Sequence, residues 1–272
     1  MPICLSVQSH VVAGHVGGGA ATPVLTLSGI EVWPLPTVVL SGHSAVHGVR
    51  GRRLPGPEVD DLVEGLHAAG ALARADALLS GYLAGESTAS AVERLARGRP
   101  AGAVYLCDPV LGDAGRLYLP EALIAVYRDR LLPLADYACP NVHELGWLTG
   151  MPVGTPEECA AAARSLGLRG VFVTSVEADG GIGILACAGS MAHLALGPKV
   201  PGVFHGAGDV TAALLLARLL AGSSPAEAAA SATGATAALA AEARRLGRDN
   251  LPVIAAAKHW QAAGPAPVRP LG

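Results

Sequence analysis

Gly206-Ala207-Gly208-Asp209 stands directly before an apolar run of helical period. Two glycines and an alanine let backbone N–H groups converge without Cβ interference, and the dipole of the following helix adds partial positive charge at the same point. Such a turn suits a phosphoryl group in transit. Asp209, at the helix start, is placed to take a proton from an acceptor hydroxyl while the turn stabilises charge on the transferring oxygens. Asp is also favoured at a helix N-terminus for capping alone, so the tetrapeptide needs partners elsewhere in the chain.

Two acidic segments supply them. Asp108-Pro109-Val110-Leu111-Gly112-Asp113 follows an expected strand over 103–107, and Asn141-Val142-His143-Glu144 follows the next one. Both therefore lie at carboxyl ends of strands, the edge where open α/β sheets bind ligands. Asn141 and Glu144, three apart at a helix start, can face one ligand. Strand-end carboxylates beside a phosphate turn are what Mg·ATP requires, since Mg²⁺ takes oxygen ligands and keeps several waters. The lysines, Lys199 and Lys258, stand in no G-x-x-x-x-G-K-[ST] context, which excludes a P-loop kinase.

Short β-branched runs alternate with Ala/Leu-rich stretches of helical period, the pattern of βα units around a parallel sheet. The sequence predicts strands near 3–8, 31–40, 76–80, 103–107, 135–139 and 170–175. Helical character lies between them, at 20–28, 57–73, 86–98, 120–132 and 155–166. Residues 181–197 read as antiparallel strands at one sheet edge, and 210–221, 225–245 and 253–262 as successive helices. The expectation is one α/β domain over 1–272, with a Pro-rich tail at 263–272 frayed because it cannot continue a helix.

The formal charge of −3, the absence of a basic block and an aromatic content of 4% argue against nucleic-acid binding. The apolar stretch from Ala212 to Gly222 is too short to span a bilayer and is interrupted by Arg218. The N-terminal run reads as a strand, not a signal peptide, so a soluble cytoplasmic protein is expected. Cys4, Cys107, Cys139, Cys159 and Cys187 are widely spaced with no C-x-x-C pair, against a disulfide framework or a zinc site. His10, His15 and His43 do not share a helix face, so packing or pocket hydrogen bonds are favoured over a metal site. Gly14 to Gly19 has the wrong spacing for a dinucleotide fingerprint.

These motifs resemble those of the ribokinase-like superfamily, and the pyridoxal kinases in particular. Gln8-Ser9-His10-Val11-Val12-Ala13-Gly14-His15-Val16-Gly17 is similar to that family's Q-S-H-V-x-x-G-[HY]-x-G. Ser41-Gly42-His43, Ser80-Gly81-Tyr82, Cys107-Asp108-Pro109-Val110-Leu111-Gly112, Pro140-Asn141-Val142-His143-Glu144 and Gly206–Asp209 match its S-N-H, [ST]-G-Y, C-D-P-V-[LM]-G, P-N-x-x-E and G-[TV]-G-D.

The resemblance implies a mostly parallel sheet flanked by helices, with an antiparallel edge. It also implies transfer of the ATP γ-phosphoryl group to the 5′-hydroxymethyl of a B6 vitamer. Asp209 would be the base and Gly206, Ala207 and Gly208 the anion hole. Asp108 and Glu144 would organise Mg²⁺ through water, with Asp113, Asn141, Thr174 and Ser175 near the phosphates. Ser9, Val38, His43, Ser44 and Tyr82 would line the acceptor pocket. A homodimer and a monovalent cation such as K⁺ near the nucleotide are implied as well.

The chain departs from the family pattern where V-Q-F-S-N-H becomes Val38-Val39-Leu40-Ser41-Gly42-His43, losing an aromatic ring that can stack on a pyridine. It has Cys139 before Pro140 in place of Thr, and no cysteine in the short flap at Gly115-Arg116-Leu117, where Arg116 is a candidate for the ATP phosphates. These changes keep two alternatives open: a kinase for another small alcohol such as hydroxymethylpyrimidine, and a vitamer-binding protein without turnover.

Overall fold

The computed structural model describes residues 1–43 and 47–271. Ser44, expected in the acceptor pocket, lies outside the described residues. In chain order the elements are β1 (Ile3–Ala13), α1 (Gly18–Leu27), β2 (Glu31–Gly42), β3 (Gly51–Arg53), α2 (Gly56–Ala68), β4 (Ala77–Ser80), α3 (Glu86–Gly98) and β5 (Val104–Cys107). Then come β6 (Gly112–Asp113), β7 (Arg116–Leu117), α4 (Ala122–Val126), β8 (Tyr137–Ala138), α5 (Val142–Thr149), α6 (Pro156–Ser165), β9 (Gly170–Ala178), β10 (Gly181–Ala188) and β11 (Met191–Pro198). The chain closes with α7 (Ala207–Leu220), α8 (Pro225–Arg245), α9 (Ala257–Gln261) and β12 (Val268–Leu271).

Ten strands form one sheet in the order β12-β11-β10-β9-β8-β5-β4-β1-β2-β3. Pairing is parallel from β9 to β2 and antiparallel at both margins. Alternation along the strands explains the layers. Cys4, Ala77, Leu79 and Leu106 face the core under α1, α7 and α8, while Leu5, Val7, Leu78, Tyr105 and Cys107 face that under α2, α3 and α4. A third cluster joins α5 and α6 to β9 and β10. Each fully buried Leu here is worth about 1.5–3 kcal/mol. All five cysteines are buried and unbridged, as expected of small core residues in a protein without a disulfide framework.

The tail departs from expectation. Residues 268–271 do not fray: β12 pairs antiparallel with β11, Val268 opposite Ala195 and Leu271 opposite Ala192. Prolines forbid a helix but are tolerated on an edge strand, and the exposed ladder of β11 supplies the partner groups. Upstream, the Ala266 N–H donates to the Ala230 carbonyl of α8. The helical character expected over 120–132 is present without a break, but its winding changes: α4 runs into a wider turn at Tyr127–Leu131 and a tight one at Leu132–Leu134. Pro133, with no N–H to give a continuing helix, accounts for the stop.

β1 is the pivot of the architecture. β2 lies on one side of it and β4 on the other, so the chain reverses its winding at β1 and leaves a crevice at the carboxyl ends of β1 and β4.

Candidate active site

The crevice is floored by strand ends and closed by the start of α7. Gly206 caps α7 with φ of 82°, a left-handed conformation that glycine adopts without strain. A side chain there would also overlap the His15 carbonyl, so Gly206 is required twice, by conformation and by close approach. The Gly208 N–H reaches no backbone acceptor among the described residues and leaves the helix start open to an anion, while the Asp209 N–H turns to its own carboxylate.

Asp209 is partly buried, and its Oδ2 accepts the Gly17 N–H at 2.8 Å. Burial raises its pKa to about 6, partly offset by the N–H donors of Gly17 and of Asp209 itself. A carboxylate so poised suits a general base working near neutral pH.

A second acidic pair lies across the crevice. Asp108 follows β5, its N–H bonded to the Ser80 carbonyl at 2.8 Å, and its carboxylate accepts no hydrogen bond from the described residues. Burial, with the charges of Glu144 and Asp209, raises its pKa well above the ordinary carboxylate range.

Glu144 is saturated by comparison. Its Oε1 accepts the Leu111 and Gly112 N–H groups at 2.9 and 3.3 Å, and its Oε2 accepts the Asn141 N–H at 2.8 Å. Asn141 Oδ1 returns the capping-box bond from the Glu144 N–H, and its Nδ2 donates to the Gly112 carbonyl. Burial pushes Glu144 up to about 8 against these backbone donors. It therefore ties the Asp108 loop to the start of α5, a framework role that the i, i+3 spacing revealed only in part.

The remaining residues expected near the phosphates are Thr174, Ser175, Asp113 and Arg116. Thr174 bridges Asn141, and its N–H donates to the Pro140 carbonyl. Between Gly183 and Leu185 the register with β9 slips, so that Thr174 and Ser175 stand against Ile184, with Ser175 at φ of 60°. Such bulges re-aim side chains beside active sites. Asp113 turns instead toward its own hairpin, accepting the Ala114 N–H, and Arg116 is exposed on β7 opposite it.

Of the residues expected in the acceptor pocket, Ser9 packs so closely under the β1–α1 turn that a side chain at Gly17 would strike its Oγ. Val38 is buried, and Tyr82 is held through its carbonyl by the Thr37 hydroxyl at 2.8 Å. His43 stacks on His205, with ring centroids 4.2 Å apart. Thr37, the Gly17 amide and His205 were not singled out by the sequence. His205 alone carried a signal, its position directly before the glycine turn.

Comparisons with known proteins agree with this geometry. Residues 59–254 match the family model described as phosphomethylpyrimidine kinase. The pyridoxal kinase of Corynebacterium diphtheriae is 40% identical over 223 residues, 77% of this chain and 78% of that protein. The pyridoxal kinase of Arabidopsis thaliana is 36% identical over 228 residues, 78% of this chain and 72% of that protein. Among solved structures, the pyridoxal kinase of Leishmania donovani in complex with ADP and pyridoxamine superposes with a TM-score of 0.91 at 31% identity, covering all of both chains.

Proposed function

The chain belongs to the pyridoxal kinase family, and from that membership we propose that it transfers the γ-phosphoryl group of ATP to the 5′-hydroxymethyl of pyridoxal, with pyridoxine and pyridoxamine as further acceptors. The observation that carries the reading is the Gly17–Asp209 hydrogen bond, which seats a base of raised pKa at the mouth of an unfilled helix N-terminus. The Leishmania donovani relatives were solved with ADP together with pyridoxamine or pyridoxine, which supports the same pair of sites here.

Asp209 takes the proton from the acceptor hydroxyl. The α7 N-terminus holds the transferring oxygens, and the crevice walls at Ser9, Val38 and Tyr82 orient the ring. On the nucleotide side, Thr174, Ser175 and Asn141 face the phosphates.

The donor set fits a hard cation. Asp108 has a buried carboxylate without a hydrogen-bond donor, beside two further acids. Among the described residues no three His, Cys, Asp or Glu side chains converge closely enough to cage a metal by themselves, which matches an ion held through waters and phosphates. Asp108 would hold Mg²⁺ with Glu144 behind it, and the ion would supply charge neutralisation on the β- and γ-phosphates. The reading extends to a monovalent cation near the nucleotide and to a homodimer in the cytoplasm. No described helix is long and apolar enough to cross a membrane.

A hydroxymethylpyrimidine acceptor is the competing reading, favoured by the description of the matching family model and by the loss of an aromatic ring at Leu40. Coupled ADP release over pyridoxal, pyridoxine, pyridoxamine and hydroxymethylpyrimidine separates the two by relative kcat/KM. No turnover with any B6 vitamer overturns the proposal.

A further inference from the structure

An imidazole pair stands at the rim of the acceptor pocket, and none of the steps above uses it as a unit. His43 directly follows β2, and His205 directly precedes the Gly206 turn. Their rings lie 4.2 Å apart with planes inclined by 31°, and both residues are partly buried. The His205 N–H is anchored on the Asp249 carbonyl at 2.7 Å, and the residue bridges Asn250. The stack thus joins the acceptor-side strand to the segment carrying the transfer turn. From the other side of that gap, Ala13 of β1 pairs with Gly42, and the His15 carbonyl approaches Gly206.

We infer that His205 is a specificity-determining residue of the acceptor pocket: its ring, stacked on His43, clasps the end of β2 to the phosphoryl-transfer turn and supplies a planar wall that Leu40 cannot. The inference rests on the acceptor-pocket reading above. Two imidazolium rings at this separation repel, so the clasp is closed with at most one ring charged. His205 and Asp249 are among the groups acting on His43. Burial and the His205 charge hold it below its ordinary value, and Asp249 opposes them. Acid therefore opens the clasp and weakens acceptor binding.

Equilibrium titration with pyridoxal reads the clasp whether or not turnover occurs, and coupled ADP release on the same preparations reads the kinase activity. His205→Ala is expected to weaken pyridoxal binding about tenfold at pH 8 while leaving ATP binding within about twofold, and His205→Phe to keep the wild-type affinity at that pH. On acidification the wild type should lose pyridoxal affinity as His43 gains a charge beside the His205 ring, and His205→Phe should lose less, since a phenyl face accepts that cation. Unchanged pyridoxal binding in His205→Ala, an equal loss of ATP and pyridoxal binding, or wild-type pH dependence in His205→Phe overturns the inference. A wild type that binds pyridoxal with this pH dependence but releases no ADP supports the clasp and overturns the kinase reading.

Discussion

The N–H of Gly17 donates to Oδ2 of Asp209 at 2.8 Å, across 192 residues of sequence. The bond ties the turn between β1 and α1 to the first turn of α7. In the proposed reaction it would fix Asp209, as base, between acceptor and phosphates.

Replacing that base isolates chemistry from folding. Asp209→Asn keeps an acceptor for Gly17 and removes the proton acceptor, so kcat should fall by roughly 10²–10⁴-fold. Stability should rise. A carboxyl group whose folded pKa is raised stabilises fully below its unfolded value, and that contribution is lost as pH climbs through about 6. At pH 8 the wild type therefore carries an unfavourable buried charge that Asn lacks, worth about 1 kcal/mol after discounting for partial exposure. Denaturant melts beside kinetics check both halves; a variant as active as the wild type rules Asp209 out as the base.

The same shift sets the acid limb of catalysis. Protonated Asp209 cannot accept the hydroxyl proton, so kcat/KM should drop about tenfold per pH unit below about 6. The acid limb should disappear from whatever residual activity Asp209→Asn retains. A wild-type profile flat down to about pH 5 contradicts the assignment.

Asp108 and Glu144 predict a linked metal requirement. Both are raised by burial, Glu144 to about 8. Lowering the pH puts protons where a cation should sit, and the Mg²⁺ concentration for half-maximal rate should rise as pH falls from 8 to 6.5. Asp108→Asn should raise that concentration at least tenfold and, like Asp209→Asn, raise the melting temperature rather than lower it. Glu144→Ala should instead cost about 2–4 kcal/mol of stability, because three buried N–H groups lose their acceptor.

Gly206→Ala tests the turn itself. At φ of 82° and against the His15 carbonyl, an added methyl forces the turn apart. A stability loss of about 2 kcal/mol is expected, with a fall in kcat of at least tenfold as Asp209 moves away from Gly17. Gly208→Ala, with open space at its Cβ position, should be far milder in thermal melts; equal damage in both variants refutes the close-approach argument.

Deleting residues 268–272 should lower the melting temperature by several degrees. The loss of β12 bares the β11 ladder and uncovers Ala192 and Leu194. An unchanged melt, with no rise in aggregation, means that the terminal strand contributes nothing.

Much of this was legible in the sequence because it is local. β4 and β5 appear as short continuous apolar runs, as strands buried on both faces do, and α3 and α8 carry their period, an acidic first turn and a basic last turn in adjacent residues. The Asp108, Asn141–Glu144 and Gly206–Asp209 segments declared themselves because turn glycines, strand-end acids and capping residues are short-range signals.

What only the tertiary structure decided is which of these segments meet, and what each side chain has left to offer once they do. Glu144 reads as a possible ligand in sequence, yet it spends both oxygens on backbone N–H groups from two separate loops. The tail reads as frayed, because nothing near it in sequence reveals the open edge of β11 that pairs it. Asp209 reads as an ordinary helix cap until burial and Gly17, brought from the far end of the chain, set its charge. Hydrophobic period and turn chemistry are properties of neighbours along the chain. Desolvation and close approach belong to neighbours in space, and they raise the pKa of Asp209 into the range that the proposed base requires.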